Sequence, residues 1–123
     1  MAISVDVSFG QDKNTPPHKA GKLSGGPMIG ISPVLSKRIT DTLIELAERG
    51  GIPCQTEVMG GSTGTNADVI AVTKSGVETG LLSVPLKNMH TAVETAALDD
   101  IKNTARLICE FVKTKYSEVK QYA

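Results

Sequence analysis

The chain has 123 residues, and its thirteen basic and thirteen acidic side chains balance to a formal charge of zero. That length fits one small domain, and the neutral balance argues against nucleic acid as the main partner, because phosphate binding calls for a basic surplus. Apolar residues make up 40% of the chain, yet no run approaches the roughly 18 apolar residues of a membrane-spanning helix.

The start, MAISVDVSFG, has no basic segment and carries Asp6 inside its apolar stretch, so it is not expected to act as a signal peptide. Ile3, Val5, Val7 and Phe9 alternate strictly with Ser4, Asp6 and Ser8, which predicts a half-buried strand over Ala2–Phe9 with the polar set facing solvent. Aspartate is depleted in strands. Asp6 therefore belongs either to the solvated face of an edge strand or to a ligand site held on rigid backbone. Residues Gly10–Pro33 are rich in Gly, Pro, Lys and Ser and read as loop, with a short strand at Met28–Ile31. Loops of this length tend to be functional, although His18 within it reads first as an exposed loop histidine.

Ser32 followed by Pro33 predicts a helix start, and Leu35, Ile39, Leu43, Leu46 and Ala47 form an apolar stripe along a helix over Pro33–Arg49. Gly50 and Gly51 end it. A strand follows at Ile52–Val58, then the turn Gly60-Gly61-Ser62-Thr63-Gly64-Thr65-Asn66, and a helix from Asn66 to Lys74 closed by Gly76. Thr79–Pro85 is a nearly all-apolar strand, as buried parallel strands are. It ends in KNMHT, Lys87 to Thr91. The last helix runs from Leu98 to Val119, with Asp99 and Asp100 complementing the dipole of its first turn. Alternating strands and helices predict an α/β fold, a mostly parallel or mixed sheet flanked by helices. In parallel sheets, sites form at the carboxyl ends of strands. Those ends hold the glycine turn and the His90 segment.

Cys54 and Cys109 stand apart, with no CxxC and no Cys/His cluster. They read as small core or near-core residues in a reducing, cytoplasmic setting. The glycine turn lacks the spacing and the lysine of a phosphate loop. It reads either as a tight turn offering N–H groups to a substrate or as a purely structural connection. Asp6 and His90 suit a divalent metal by ligand type, but a catalytic zinc needs about three protein ligands and an open position. Asp12, His18, Asp68, Glu94, Asp99 and Asp100 are the further candidates, and none stands four residues from a histidine along a helix.

Taken together, AISVDVSFG, KLSGGPMI, IPCQTEV, GGSTGTNA, GLLSVPLKNMHTAVE and LDDIKNTARLI resemble the carboxyl-terminal part of the di-metal aminopeptidases of metallopeptidase family forty-two. These are glutamyl- or leucyl-type enzymes, often labelled cellulases or endoglucanases. The resemblance covers essentially the whole chain. It implies a partial di-zinc exopeptidase (phosphorylase/hydrolase-like) catalytic domain over residues 1–123, with the amino-terminal portion and an inserted assembly domain absent. It also implies two divalent metals, Zn or Co, in the intact enzyme, a peptide substrate, and a homo-oligomer with no nucleic acid or membrane partner. Asp6 matches the family's carboxylate ligand, and His90 its final histidine ligand on the other metal. Gly60, Gly61, Thr63, Gly64, Thr65 and Asn66 match the segment that lines the substrate cavity. The family's other ligands and its general-base glutamate lie upstream, so no catalytic residue is assigned here. Asn66 stands where the family usually has Asp, Lys87 where it often has Arg, and Asn88 where it often has an aromatic.

One ligand from each metal's shell holds neither ion tightly, so metal binding by this chain alone is expected to be weak or absent and the isolated chain inactive. The alternatives are a non-catalytic assembly or interaction module of the same fold and, on the family's labels, a glycoside hydrolase. The latter needs two carboxylates flanking a sugar bond, for which Asp6 and Glu94 are the sole pair on offer.

Overall fold

A computed structural model of the protein describes residues 1–122. In chain order the elements are β1 (Ala2–Phe9), a 3-10 turn (Pro17–Lys19), β2 (Met28–Ile31), α1 (Lys37–Arg49), β3 (Gln55–Val58), α2 (Asn66–Ala71), β4 (Thr79–Lys87), β5 (Thr95–Ala96) and α3 (Leu98–Gln121). The strands form one sheet in the order β1-β4-β2-β3, with β5 paired to the end of β4.

β4 is central and buried along all but its last residue, which is why its sequence is apolar almost without interruption. It runs parallel to β1, from Ala2↔Thr79 to Phe9↔Leu86, and antiparallel to β2, through Met28↔Ser83 and Ile29↔Leu82. β2 and β3 are parallel to one another and joined through α1. The sheet is therefore mixed. This overturns the expectation that the glycine turn and the His90 segment share one end of the sheet. β3 runs opposite to β4, so the turn after Val58 lies toward the start of β4 and the His90 segment leaves from its finish. A helical crossover forces neighbouring strands to be parallel. The long loop between β1 and β2 imposes no such rule.

Both faces of β4 are covered. On one, Leu82 packs with Ile29, with Ile39, Leu43, Leu46 and Ala47 of α1, with Ile52, and with Leu107 and Phe111 of α3. On the other, Leu81 meets Leu35 and Ala67, with Met59 at the margin. Helix α1 starts at Lys37, four residues later than the Ser-Pro pair predicted. The hydroxyl of Ser32 accepts from the Val34 amide and donates to the Gly61 carbonyl, so it shapes a turn that ties β2 to the glycine turn. β3 starts only at Gln55, consistent with Pro53 lacking a ladder donor. Helix α2 ends at Ala71, sooner than predicted, and the two-residue β5 had no readable pattern.

The burial of β1 is the reverse of the prediction. Ser4 and Ser8 are buried, while Val5 is 52% exposed, Val7 39% and Phe9 46%. Alternation defines two faces without saying which one is covered. β1 is an edge strand, and of its apolar set Ile3 alone packs against the main core.

Candidate metal centre

The two residues proposed as metal ligands sit on the parallel pair β1 and β4. Asp6 is half-buried in the middle of β1, opposite Ser83. One of its carboxylate oxygens, Oδ1, accepts the Val7 amide at 2.8 Å. Two residues on, the Ser8 hydroxyl donates to the Glu57 carboxylate of β3. The polar face of β1 thus looks across the sheet toward a second acidic strand residue, which sequence reading did not single out.

His90 follows β4 in an exposed turn. Asn88 (φ 54°) and His90 (φ 65°) both adopt left-handed backbone, where Asn and His are among the better tolerated non-glycine residues. The turn is fixed by the His90 amide donating to Glu94 Oε1 at 2.7 Å and by the Thr91 hydroxyl donating to the Asn88 carbonyl at 2.6 Å. β5 then returns alongside Leu86 and Lys87. Because β1 and β4 are parallel, the carboxyl ends of both strands, and with them His90, lie at one end of the sheet, and Asp6 shares one face of the pair with Ser83.

The family-forty-two reading implies a divalent metal pair, and the donors of this chain do not by themselves fit one. Among the described residues no group of three His, Cys, Asp or Glu side chains is placed to hold an ion. The further candidates have local partners. Asp12 accepts from the amides of Asn14 and Thr15. Glu94 holds the His90 amide, Asp99 lies 3.8 Å from Lys102, and Asp100 is wholly buried beneath the loop before β2. His18 lines a cleft of about 410 Å³ with Phe9, Met28 and Glu57, and His90 is not among the lining residues.

The glycine turn is held from within. Asp68 Oδ1 accepts from the Thr63 amide and hydroxyl, both at 2.8 Å, and Oδ2 accepts from the Gly64 amide at 2.9 Å. Thr65 caps α2 by accepting from the Ala67 amide. Thr65-x-x-Asp68 has the spacing of a capping box, but Asp68 reaches back to the Thr63 and Gly64 amides and not to that of the capping Thr65, so this bracing of the turn was not legible in that pattern. Gly60 and Gly61 remain exposed.

The Thr63 amide, above all, holds the Asp68 carboxyl below its ordinary value of 3.8; burial opposes it, and the Thr63 hydroxyl and the Gly64 amide add to the lowering. A depressed carboxylate contributes stability that is complete above its unfolded value and lost as pH falls through the folded one. The turn is therefore expected to loosen only below about pH 4. Protection of the Thr63 and Gly64 amides, relative to their intrinsic exchange rates, should fall across that range, and Asp68→Asn should remove that pH dependence.

A mixed sheet flanked by helices is the architecture of solved aminopeptidases. The chain superposes on the TET aminopeptidase of the marine sediment archaeon Thaumarchaeota archaeon SCGC AB-539-E09 with a TM-score of 0.79 at 26% identity, covering 90% of this chain and 32% of that one. It superposes on the Pyrococcus horikoshii TET1 peptidase, which can assemble into a tetrahedron or a large octahedral shell, with a TM-score of 0.65 at 30% identity, over 89% and 32% of the two chains. In sequence it is 33% identical over 107 residues to the lysyl aminopeptidase of Pyrococcus furiosus, 87% of this chain and 31% of that protein. The chain belongs to the M42 glutamyl aminopeptidase family, whose model matches residues 1–107. It spans about a third of the length of these relatives. No helix among the described residues is long and apolar enough to cross a membrane.

Proposed function

We propose that this chain forms the carboxyl-terminal portion of the catalytic domain of a metal-dependent aminopeptidase, an enzyme that removes amino-terminal residues from peptides with a water activated by two metal ions, Zn or Co. The observation that carries the reading is the family match over residues 1–107, which includes both Asp6 and His90. In this reading Asp6 serves one ion and His90 the other. The bridging ligand and the general base come from polypeptide outside this chain. Gly60, Gly61 and Thr63–Asn66 line the substrate cavity from the end of the sheet opposite His90, chiefly through the exposed Gly60 and Gly61, since Asp68 already occupies the Thr63 and Gly64 amides. The enzyme works in the cytoplasm as a homo-oligomer. The exposed Val5, Val7 and Phe9 and the free edge of β1 offer the apolar surface that association covers. The lack of a three-donor group among the described residues favours a second reading for the chain by itself, a non-catalytic assembly module of the same fold.

The isolated chain is expected to show no aminopeptidase turnover with Zn or Co added, because two donors from two separate shells leave each ion without the roughly three protein ligands it requires. Release of amino acid from an aminoacyl substrate measures this. Robust turnover that depends on Asp6 and His90 would refute the incompleteness of the site.

A further inference from the structure

Ser83 sits in the middle of β4, 1% exposed, and its hydroxyl has no hydrogen-bond partner. It is the single buried side-chain polar atom in that condition among the described residues. A buried hydroxyl left unpaired is costly and calls for an explanation.

The register supplies one. On its own face of the sheet, Ser83 is flanked across the strands by Asp6 of β1 and Met28 of β2, and along β4 by Leu81 and Pro85. Of these four side chains, Asp6 alone carries a strong acceptor. One Asp6 oxygen is occupied by the Val7 amide, and the other is free. The next polar side chains on that face are Ser8, already bound to Glu57, and Ser4, which offers a neutral hydroxyl, a weaker acceptor than a carboxylate. A serine hydroxyl moves between staggered wells at little cost, and directly opposed side chains in neighbouring strands stand close enough to interact.

We propose that Ser83 is a positioning residue: its hydroxyl donates to the free oxygen of Asp6 and fixes the carboxylate against the strand. The consequence for catalysis rests on the reading of Asp6 as a metal ligand, since an outer hydrogen bond of this kind orients a ligating carboxylate. The hydrogen bond itself does not depend on that reading.

The test is a double-mutant cycle on the metal-free chain, read by urea unfolding, with Ser83→Ala, Asp6→Ala and the pair. Ser83→Ala is expected to lower the folded-to-unfolded ratio about fivefold in the native background and to leave it unchanged or raised when Asp6 is already Ala. The Val7 amide resonance, which reports the carboxylate through its own bond to Oδ1, is expected to move in Ser83→Ala and to stay in place in Ser83→Thr, which keeps the hydroxyl. Equal stabilisation by Ser83→Ala in both backgrounds would show an unpaired hydroxyl and overturn the proposal, as would an unmoved Val7 resonance. Either failure removes the role of Ser83 alone. An inactive but folded and assembled hybrid enzyme, described below, would remove the aminopeptidase reading and leave the hydrogen bond intact.

Discussion

A hybrid enzyme in which this chain replaces the matched third of the Pyrococcus furiosus lysyl aminopeptidase is expected to release amino-terminal residues from peptides, and to lose that activity when Asp6 or His90 becomes Ala. The relative shares 33% identity over 107 residues, enough for the same strand framework to form. The remaining two thirds of the relative would supply the donors that this chain lacks. Removing one of about three protein ligands strips an ion of much of its affinity and of the charge it offers the transition state. A loss of about 4 kcal/mol of transition-state stabilisation is reasonable for such a change, which lowers kcat/KM about a thousandfold. Measured kcat/KM with and without each substitution decides the matter. A hybrid that folds and assembles as the parent does, yet shows no activity, would overturn the assignment. So would one whose activity survives both substitutions. Glu94→Ala provides a useful contrast. It removes the carboxylate that holds the His90 amide without removing the imidazole, so it should raise KM or slow turnover by a smaller factor, by letting the turn relax.

What could be read from the residues alone divides along physical lines. Local periodicity was reliable, because the stripe of Ile39, Leu43, Leu46 and Ala47 and the apolar run of β4 each have a single compact solution. Direction was not. The loop between β1 and β2 contains no crossover helix, so the sequence held no instruction that β2 should oppose β4, and the expected meeting of the glycine turn with the His90 segment depended on that instruction. Burial also escaped. Val5, Val7 and Phe9 look like a core face by alternation, and they are exposed because α1 and α3 lie over β2 and β4 rather than over the edge strand. The chemistry of the site came from resemblance. Asp6 and His90 have no sequence spacing that links them, and the structure shows only that the strand of Asp6 pairs with the strand that His90 follows. Ser83 was hidden for a different reason, since a serine inside an apolar strand is unremarkable until its hydroxyl is seen to lack a partner.

Replacing Asp100 is expected to be among the most damaging single changes for stability, although sequence reading gives it only a dipole role and a place among the candidate metal ligands. Asp100 lies in the first turn of α3 and is completely buried. Its carboxylate accepts from the Ser24 amide at 2.8 Å and the Gly26 amide at 2.7 Å. Both of those residues adopt left-handed backbone, Ser24 at φ 64° and Gly26 at φ 86°. The pair forms a small concavity of N–H groups, a natural anion seat, and its occupant arrives from a helix more than seventy residues further along the chain. Asp100→Ala leaves the buried Gly26 amide unpaired, at about 1–3 kcal/mol, and the half-buried Ser24 amide with water as its nearest substitute, so about 2–4 kcal/mol should be lost. That is a large part of the roughly 5–15 kcal/mol available to a domain of this size. Asp100→Asn should cost less, since its carbonyl can still accept one amide, although its NH₂ then faces the other. Gly26→Ala attacks the same lock from the other side. Its Cβ would fall 1.9 Å from the Pro53 carbonyl oxygen, in a backbone conformation that side chains resist, so a loss of about 3 kcal/mol or more is expected. Urea midpoints would rank the three as Asp100→Asn least harmful, and the Asp100→Ala, Gly26→Ala double variant should lose less than the sum, because both break one lock. Strict additivity, or an Asp100→Ala midpoint within error of the parent, would show that the loop before β2 is held by its core contacts and not by this carboxylate.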